Sequence, residues 1–112
     1  MLATLKVGTG KSTLVKFIVS ALGIDPDSVA YVAFTGKAAN VLSKKGNPNA
    51  TTAHKLLYFA KPLPNGKFSF NPKPSFEIQQ YSLIVVDEIS MLPKDMWNLL
   101  LSHRVPIIAC GD

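Results

Sequence analysis

The chain has one cysteine, Cys110, one arginine, Arg104, and only seven acidic residues among 112. A single cysteine excludes an internal disulfide framework and the small secreted scaffolds that depend on one. No apolar run approaches the ~20 residues a helix needs to cross a bilayer. The first residues carry no charged-then-apolar leader pattern. These absences point to a soluble protein in a reducing, cytoplasmic setting with no membrane partner. The shortage of acid leaves twelve Lys+Arg against seven Asp+Glu, a net charge of +5. That balance suits an anionic partner such as nucleotide or nucleic acid, and it is also shared by many small soluble domains without one.

What is present is a core-forming chain. Hydrophobic residues make up 47% of the sequence, which excludes wholesale disorder. "STLVKFIVSALG" (12–23) is apolar almost all round apart from Lys16, so the pattern predicts a buried helix stopped at Gly23. "IDPDS" is a turn. "VAYVAF" (29–34), "YSLIVVDE" (81–88) and "VPIIAC" (105–110) contain short β-rich runs, as in strands covered on both faces. "TGKAANVLSKKG" reads as a turn and a short helix ending at Gly46, "TTAHKLLYFA" (51–60) as a short helix capped by threonine, and "LPKDMWNLLLSH" as a helix with Pro93 near its start. Four prolines and the Asn65-Gly66 pair predict a hairpin excursion at 61–76. Strands alternating with helices imply parallel pairing: an α/β domain spanning 1–112. Its thinnest element is the first strand, for which only "MLATL" is available.

Two stretches carry chemistry. "KVGTGKST" (6–13) follows the phosphate-loop pattern G-x-x-x-x-G-K-[ST] at its later positions. Backbone N–H groups of Gly8, Thr9, Gly10, Lys11 and Ser12 would face phosphate oxygens, and the following helix offers its positive end. Lys11 would neutralise β/γ charge, Ser12 would ligate Mg²⁺, and Thr13 would approach the α-phosphate. The opening glycine is replaced by Leu5, which reshapes the entry to the loop rather than deleting ligands. The bland alternative is a capped helix after a glycine-rich turn. In "LIVVDEIS" a buried strand delivers Asp87 and Glu88 to the carboxyl edge of the sheet, where ligands bind in open α/β folds. Asp87 would hold Mg²⁺ and Glu88 would orient the attacking water. Solvated acids at a strand end are the alternative.

"GTGKST", "AFTGKAANVL", "TTAHKLLY", "IVVDEISML" and "ACGD" occur in the order found in superfamily-1 DNA helicases, and the chain resembles their RecD-like branch, which includes small phage helicases, along essentially its whole length. The resemblance implies a partial RecA-like P-loop NTPase fold. It also implies ATP-Mg binding and hydrolysis by the loop and the Asp-Glu pair. Single-stranded DNA contacts are implied for Thr35, Gly36 and Lys37 and near Thr52 and His54. "GD" would open a motif that continues to a γ-phosphate sensor. Without the resemblance, Thr35-Gly36-Lys37 reads as a helix entry, and His54 as a partly buried helix-face residue. Phe59, Phe68, Phe70, Phe76 and Tyr81 read as core more readily than as base-stacking rings. Met91, Met96 and Trp97 are expected to pack their helix on the sheet, and Cys110 to be a small strand residue.

The sequence stops at Asp112, inside a motif, so the expectation is an N-terminal part of a first motor domain. The family's second domain supplies arginine fingers worth roughly 10³–10⁵ in rate. Arg104 has no motif placing it in that role. The expected function is ATP binding and hydrolysis without unaided unwinding, with the rest of a helicase or another subunit as a partner. The competing reading is a catalytically inactive module that binds nucleotide or single-stranded DNA. A small kinase is disfavoured, because kinases need an acceptor site and arginine-rich lids.

Overall fold

Strand-forming apolar runs spaced by helices organise the chain. The computed structural model describes residues 2–5, 11–44, 49–87 and 91–110. In chain order the elements are β1 (Leu2–Leu5), α1 (Lys11–Ala21), a 3-10 turn (Pro26–Ser28), β2 (Val29–Ala33), α2 (Gly36–Lys44), β3 (Ala50–Thr52), α3 (Ala53–Leu57), β4 (Tyr58–Pro62), β5 (Phe68–Pro72), α4 (Ser75–Ile78), β6 (Leu83–Val86), α5 (Lys94–Ser102) and β7 (Ile107–Cys110). Five strands form one sheet in the order β1-β7-β6-β2-β3, and every neighbouring pair is parallel. The chain is therefore α/β, with a parallel sheet flanked by helices, as its alternation of elements predicts.

Strand side chains alternate between the faces, and each face has its own cover. On one, Val15 and Val19 of α1 pack against Val29, Leu83, Val85 and Ile108. On the other, α3, α4 and α5 set Leu56, Leu57, Ile78, Met96 and Leu100 against Ala30, Val32, Ile84, Val86 and Ile107. All four residues of β6 are buried, which explains its unbroken Leu-Ile-Val-Val run. Leu57, Ile84 and Leu100 are almost wholly withdrawn from water. Each such side chain contributes roughly 1.5–3 kcal/mol.

The structure corrects several expectations. Helix α1 is not buried all round: Phe17 is 69% exposed, and Leu22, just past its end, 63%. Among the side chains described, the stripe of Val15, Ile18 and Val19 reaches the sheet, and no second layer lies outside it. Its C-terminus is as expected. Gly23 has φ +68°, and the N–H groups of Gly23 and Ile24 donate to the carbonyls of Ser20 and Val19 at 3.1 and 3.0 Å. This closes the helix in a Schellman arrangement that needs the left-handed backbone glycine adopts readily.

The helix expected over 51–60 is confined to α3. Thr51 belongs to β3, and Tyr58 onward to β4. Met91 is exposed and precedes α5, while Met96 and Trp97 do pack inward. The helix expected to end at Gly46 is α2, and Gly46 itself lies outside the described residues.

Strands β4 and β5 pair antiparallel as a separate two-stranded sheet, so the hairpin leaves the main sheet and starts three residues earlier than expected. Its tip is a three-residue loop. The Gly66 N–H donates to the Leu63 carbonyl at 3.1 Å, Gly66 has φ +81°, and the Leu63 N–H donates to the Lys67 carbonyl at 2.8 Å. This is a type I turn followed by a glycine bulge, which accounts for the Asn65-Gly66 pair. Among the described residues no helix is long and apolar enough to cross a membrane.

Candidate functional site

Parallel strands end on the same edge, and the ladder registers show how level those ends are. Leu5 of β1 stands opposite Cys110 of β7, and Val86 of β6 stands opposite Ala109 of β7. One residue further, Asp87 is level with Cys110. Val32 is opposite Val86, and the Asp87 N–H donates to the Val32 carbonyl at 2.8 Å, so Asp87 is also level with Ala33. Ala33 is opposite Thr52. Leu5, Cys110, Asp87, Ala33 and Thr52 thus form one row across the carboxyl edge of the sheet, with neighbouring strands roughly 4.8 Å apart. Every sequence stretch singled out for chemistry begins at or just after this row.

Gly8, Thr9 and Gly10 of the loop and Glu88 of the acidic pair lie outside the described residues. Lys11, Ser12 and Thr13 form the first turn of α1, where backbone N–H groups have no partner within the helix. Asp87 is half-buried, at the end of the fully buried β6. The hydroxyl of Ser12 and the carboxylate of Asp87 are hard oxygen donors, a chemistry that suits Mg²⁺. Among the described residues no group of three or more His, Cys, Asp or Glu is assembled as a metal site.

Thr35, Gly36 and Lys37 are exposed at the start of α2, beyond the carboxyl end of β2. The Thr35 Oγ1 accepts the Ala38 N–H at 3.2 Å, so its hydroxyl caps α2. The Thr52 Oγ1 accepts the Lys55 N–H at 3.2 Å and caps α3 in the same way. Both threonines therefore have a local structural role, and pairing of β2 with β3 brings their segments side by side.

His54 is exposed rather than partly buried. Its ring lies 6.4 Å from Phe34, 5.9 Å from Tyr58 and 5.9 Å from Phe70, and Tyr58 lies 6.5 Å from Phe70. This ring cluster joins the sheet edge to the hairpin. The sequence separated its members by up to 36 positions, and only the hairpin register shows that Phe70 returns beside His54. Phe59, Phe68, Phe70 and Phe76 are all exposed, contrary to a core assignment, whereas Tyr81 is half-buried against the core. The Lys73 ammonium sits 5.3 Å over the Phe59 ring and donates to the Lys55 carbonyl at 2.9 Å, tying the hairpin base to α3.

Among the described residues His103 is 3% exposed, and its Nδ1 lies 3.0 Å from the Ser75 Oγ. Burial lowers its pKa from the usual 6.5, because the charged ring loses hydration.

Comparison with known proteins yields one family and two informative relatives. The family model described as "AAA domain" matches residues 1–112. The ATP-dependent DNA helicase dda of Enterobacteria phage T4 is 32% identical over 109 residues, covering 94% of this chain and 25% of that protein. The ATP-dependent RecD2 DNA helicase of Deinococcus radiodurans is 35% identical over 111 residues, covering 94% of this chain and 14% of that protein. The chain spans a quarter or less of the length of these relatives.

Proposed function

The chain belongs to the AAA domain family and is similar to the Dda and RecD2 helicases; from that premise we propose that it binds and hydrolyses ATP as part of the motor of an ATP-dependent DNA helicase. The observation that carries this reading is the row Leu5, Cys110, Asp87, Ala33 and Thr52. It brings to one edge the strand end that precedes the glycine loop, Asp87, and the strand ends that precede the two segments proposed to face DNA.

In this reading the backbone N–H groups from Gly8 to Ser12 cradle the phosphates and Lys11 neutralises charge on the β- and γ-phosphates. Ser12 and Asp87 hold Mg²⁺, and Thr13 approaches the α-phosphate. When bound, Mg²⁺ withdraws charge from the phosphate oxygens. Glu88 orients the attacking water and accepts its proton. Thr35, Gly36, Lys37, Thr52 and His54 face single-stranded DNA. The exposed rings of His54 and Phe70 offer a stacking surface, and Lys37 and Lys55 are exposed as well. Duplex unwinding is assigned to the longer assembly, in which a second motor domain completes the transition-state charge stabilisation, and not to these residues alone.

The test is Glu88→Gln. ATP turnover should be lost while ATP binding persists. A wild-type chain that binds ATP without turnover supports the competing reading, a nucleotide-binding module without catalysis. Binding to oligothymidylate should weaken steeply with salt, because phosphate contacts release counterions.

A further inference from the structure

Strand β3 is an edge of the main sheet among the described residues. The Tyr31 N–H donates to the Asn49 carbonyl, and Tyr31 stands opposite Ala50. In a parallel ladder this turns Asn49 and Thr51 toward β2. The N–H and C=O of Ala50 and the N–H of Thr52 therefore face away from the sheet. The side chain of Asn49 fixes the start of the strand, donating to the carbonyls of Asp27 and Val29 at 2.8 and 3.3 Å.

Exposed strand edges are ordinarily blunted by lysine, proline or a bulge. The hairpin follows that rule: β4 reads YFAKP and β5 FSFNP, each ending in proline. Strand β3 reads ATT: its three residues make it a short edge, and it carries no lysine or proline. A cavity opens on each flank of it. One, of about 330 Å³, lies toward α3 and α4 and is lined by Lys55, Lys73, Glu77 and Tyr81 among others. The second, of about 250 Å³, lies toward α2, with Asn40, Ser43, Thr52 and Lys55 in its wall. Lys55 lines both, and among the described residues Glu77 is the only acidic one in either lining.

We propose that the outward edge of β3 docks an extended, acidic segment of a partner protein, which adds as a further strand and sets alternate side chains into the two flanking cavities. A strand projects its side chains alternately to opposite faces, which matches one cavity on each flank. Main-chain hydrogen bonds supply the pairing, and side-chain pockets supply the selection. Lys55 and Lys73, with the hydroxyl and amide groups around them, select carboxylates over ammonium or apolar side chains. A phosphodiester chain has no N–H to offer the Ala50 carbonyl, so the edge itself discriminates in favour of peptide. This proposal does not depend on the nucleotide reading.

The probe is an acetylated, amidated peptide of alternating glutamate and threonine, about eight residues long. Amide hydrogen exchange should show new protection at Ala50 and Thr52 on its addition, and a lysine-threonine peptide should produce none. Ala50→Pro removes the outward N–H at an edge position where proline is tolerated, and should weaken binding about tenfold or more. Lys55→Glu, which leaves the edge backbone intact, should weaken it by a similar factor. The proposal is overturned if the peptide leaves Ala50 unprotected up to about 1 mM, or if Lys55→Glu binds it as wild type does. It is equally overturned if oligothymidylate protects Ala50 and the peptide does not.

Discussion

The backbone N–H of Asp87 donates to the carbonyl of Val32 at 2.8 Å, one residue beyond the end of β6. The ladder thus continues under Asp87 and holds its Cα level with the ends of the neighbouring strands. Because this bond is made by the backbone, Asp87→Asn should leave the sheet intact. Nucleotide affinity in the presence of Mg²⁺ should nevertheless fall about tenfold or more, ~1.4 kcal/mol. Titrations with and without Mg²⁺, beside a thermal melt, check this. An unchanged Mg²⁺ dependence would remove Asp87 from the metal site.

Leu57 is 1% exposed and packs in the larger of the two core clusters. Leu57→Ala leaves a cavity between α3 and the sheet and should destabilise the chain by roughly 2–5 kcal/mol. Urea denaturation gives the number directly. A loss under ~1 kcal/mol would mean that α3 does not pack as described.

Gly23 combines φ +68° with open space where a Cβ would stand. Gly23→Ala therefore meets no clash with a neighbour, and its cost is backbone strain alone, about 1–2 kcal/mol. Gly23→Asn should cost less, since asparagine tolerates the left-handed region better. Equal stability of all three chains would argue against the Schellman closure of α1.

His103 makes stability fall in mild acid. Burial lowers its folded pKa below the 6.5 of the unfolded chain, so the unfolded state binds the proton more readily. Its stabilising contribution is complete above pH ~6.5 and is lost as pH falls through the folded value. Denaturation midpoints measured across this window should decline in the wild type and flatten in His103→Gln. A wild-type profile no steeper than that of the variant would show that His103 charges as easily folded as unfolded.

Much of this was legible in the residues themselves. The runs at 29–34 and 81–88 read as two-sided strands because parallel sheets bury both faces, and strands stand there at Val29–Ala33 and Leu83–Val86. The proline-rich segment with Asn65-Gly66 read as a hairpin, and a hairpin stands there. A threonine at the start of 51–60 read as a cap, and the cap is Thr52, whose hydroxyl takes the Lys55 N–H.

What the residues concealed was set by tertiary pairing. Ala50–Thr52 has no hydrophobic run to mark it, and only its register against β2 makes it a strand. Helix α1 is apolar in composition but is covered along one stripe, so periodicity alone overstated its burial. The motifs at the sheet edge were visible singly. Their alignment in one row depends on strand order, which no local pattern contains.

The central claim is that the edge running from Leu5 to Thr52 is a nucleotide site despite leucine at the opening of its loop. Calorimetric titration of the chain with ATP-Mg, beside Lys11→Ala, tests it most directly. The account predicts binding by the wild type that disappears in the variant while both chains remain folded. No binding by the folded wild type, or equal binding by Lys11→Ala, would contradict it.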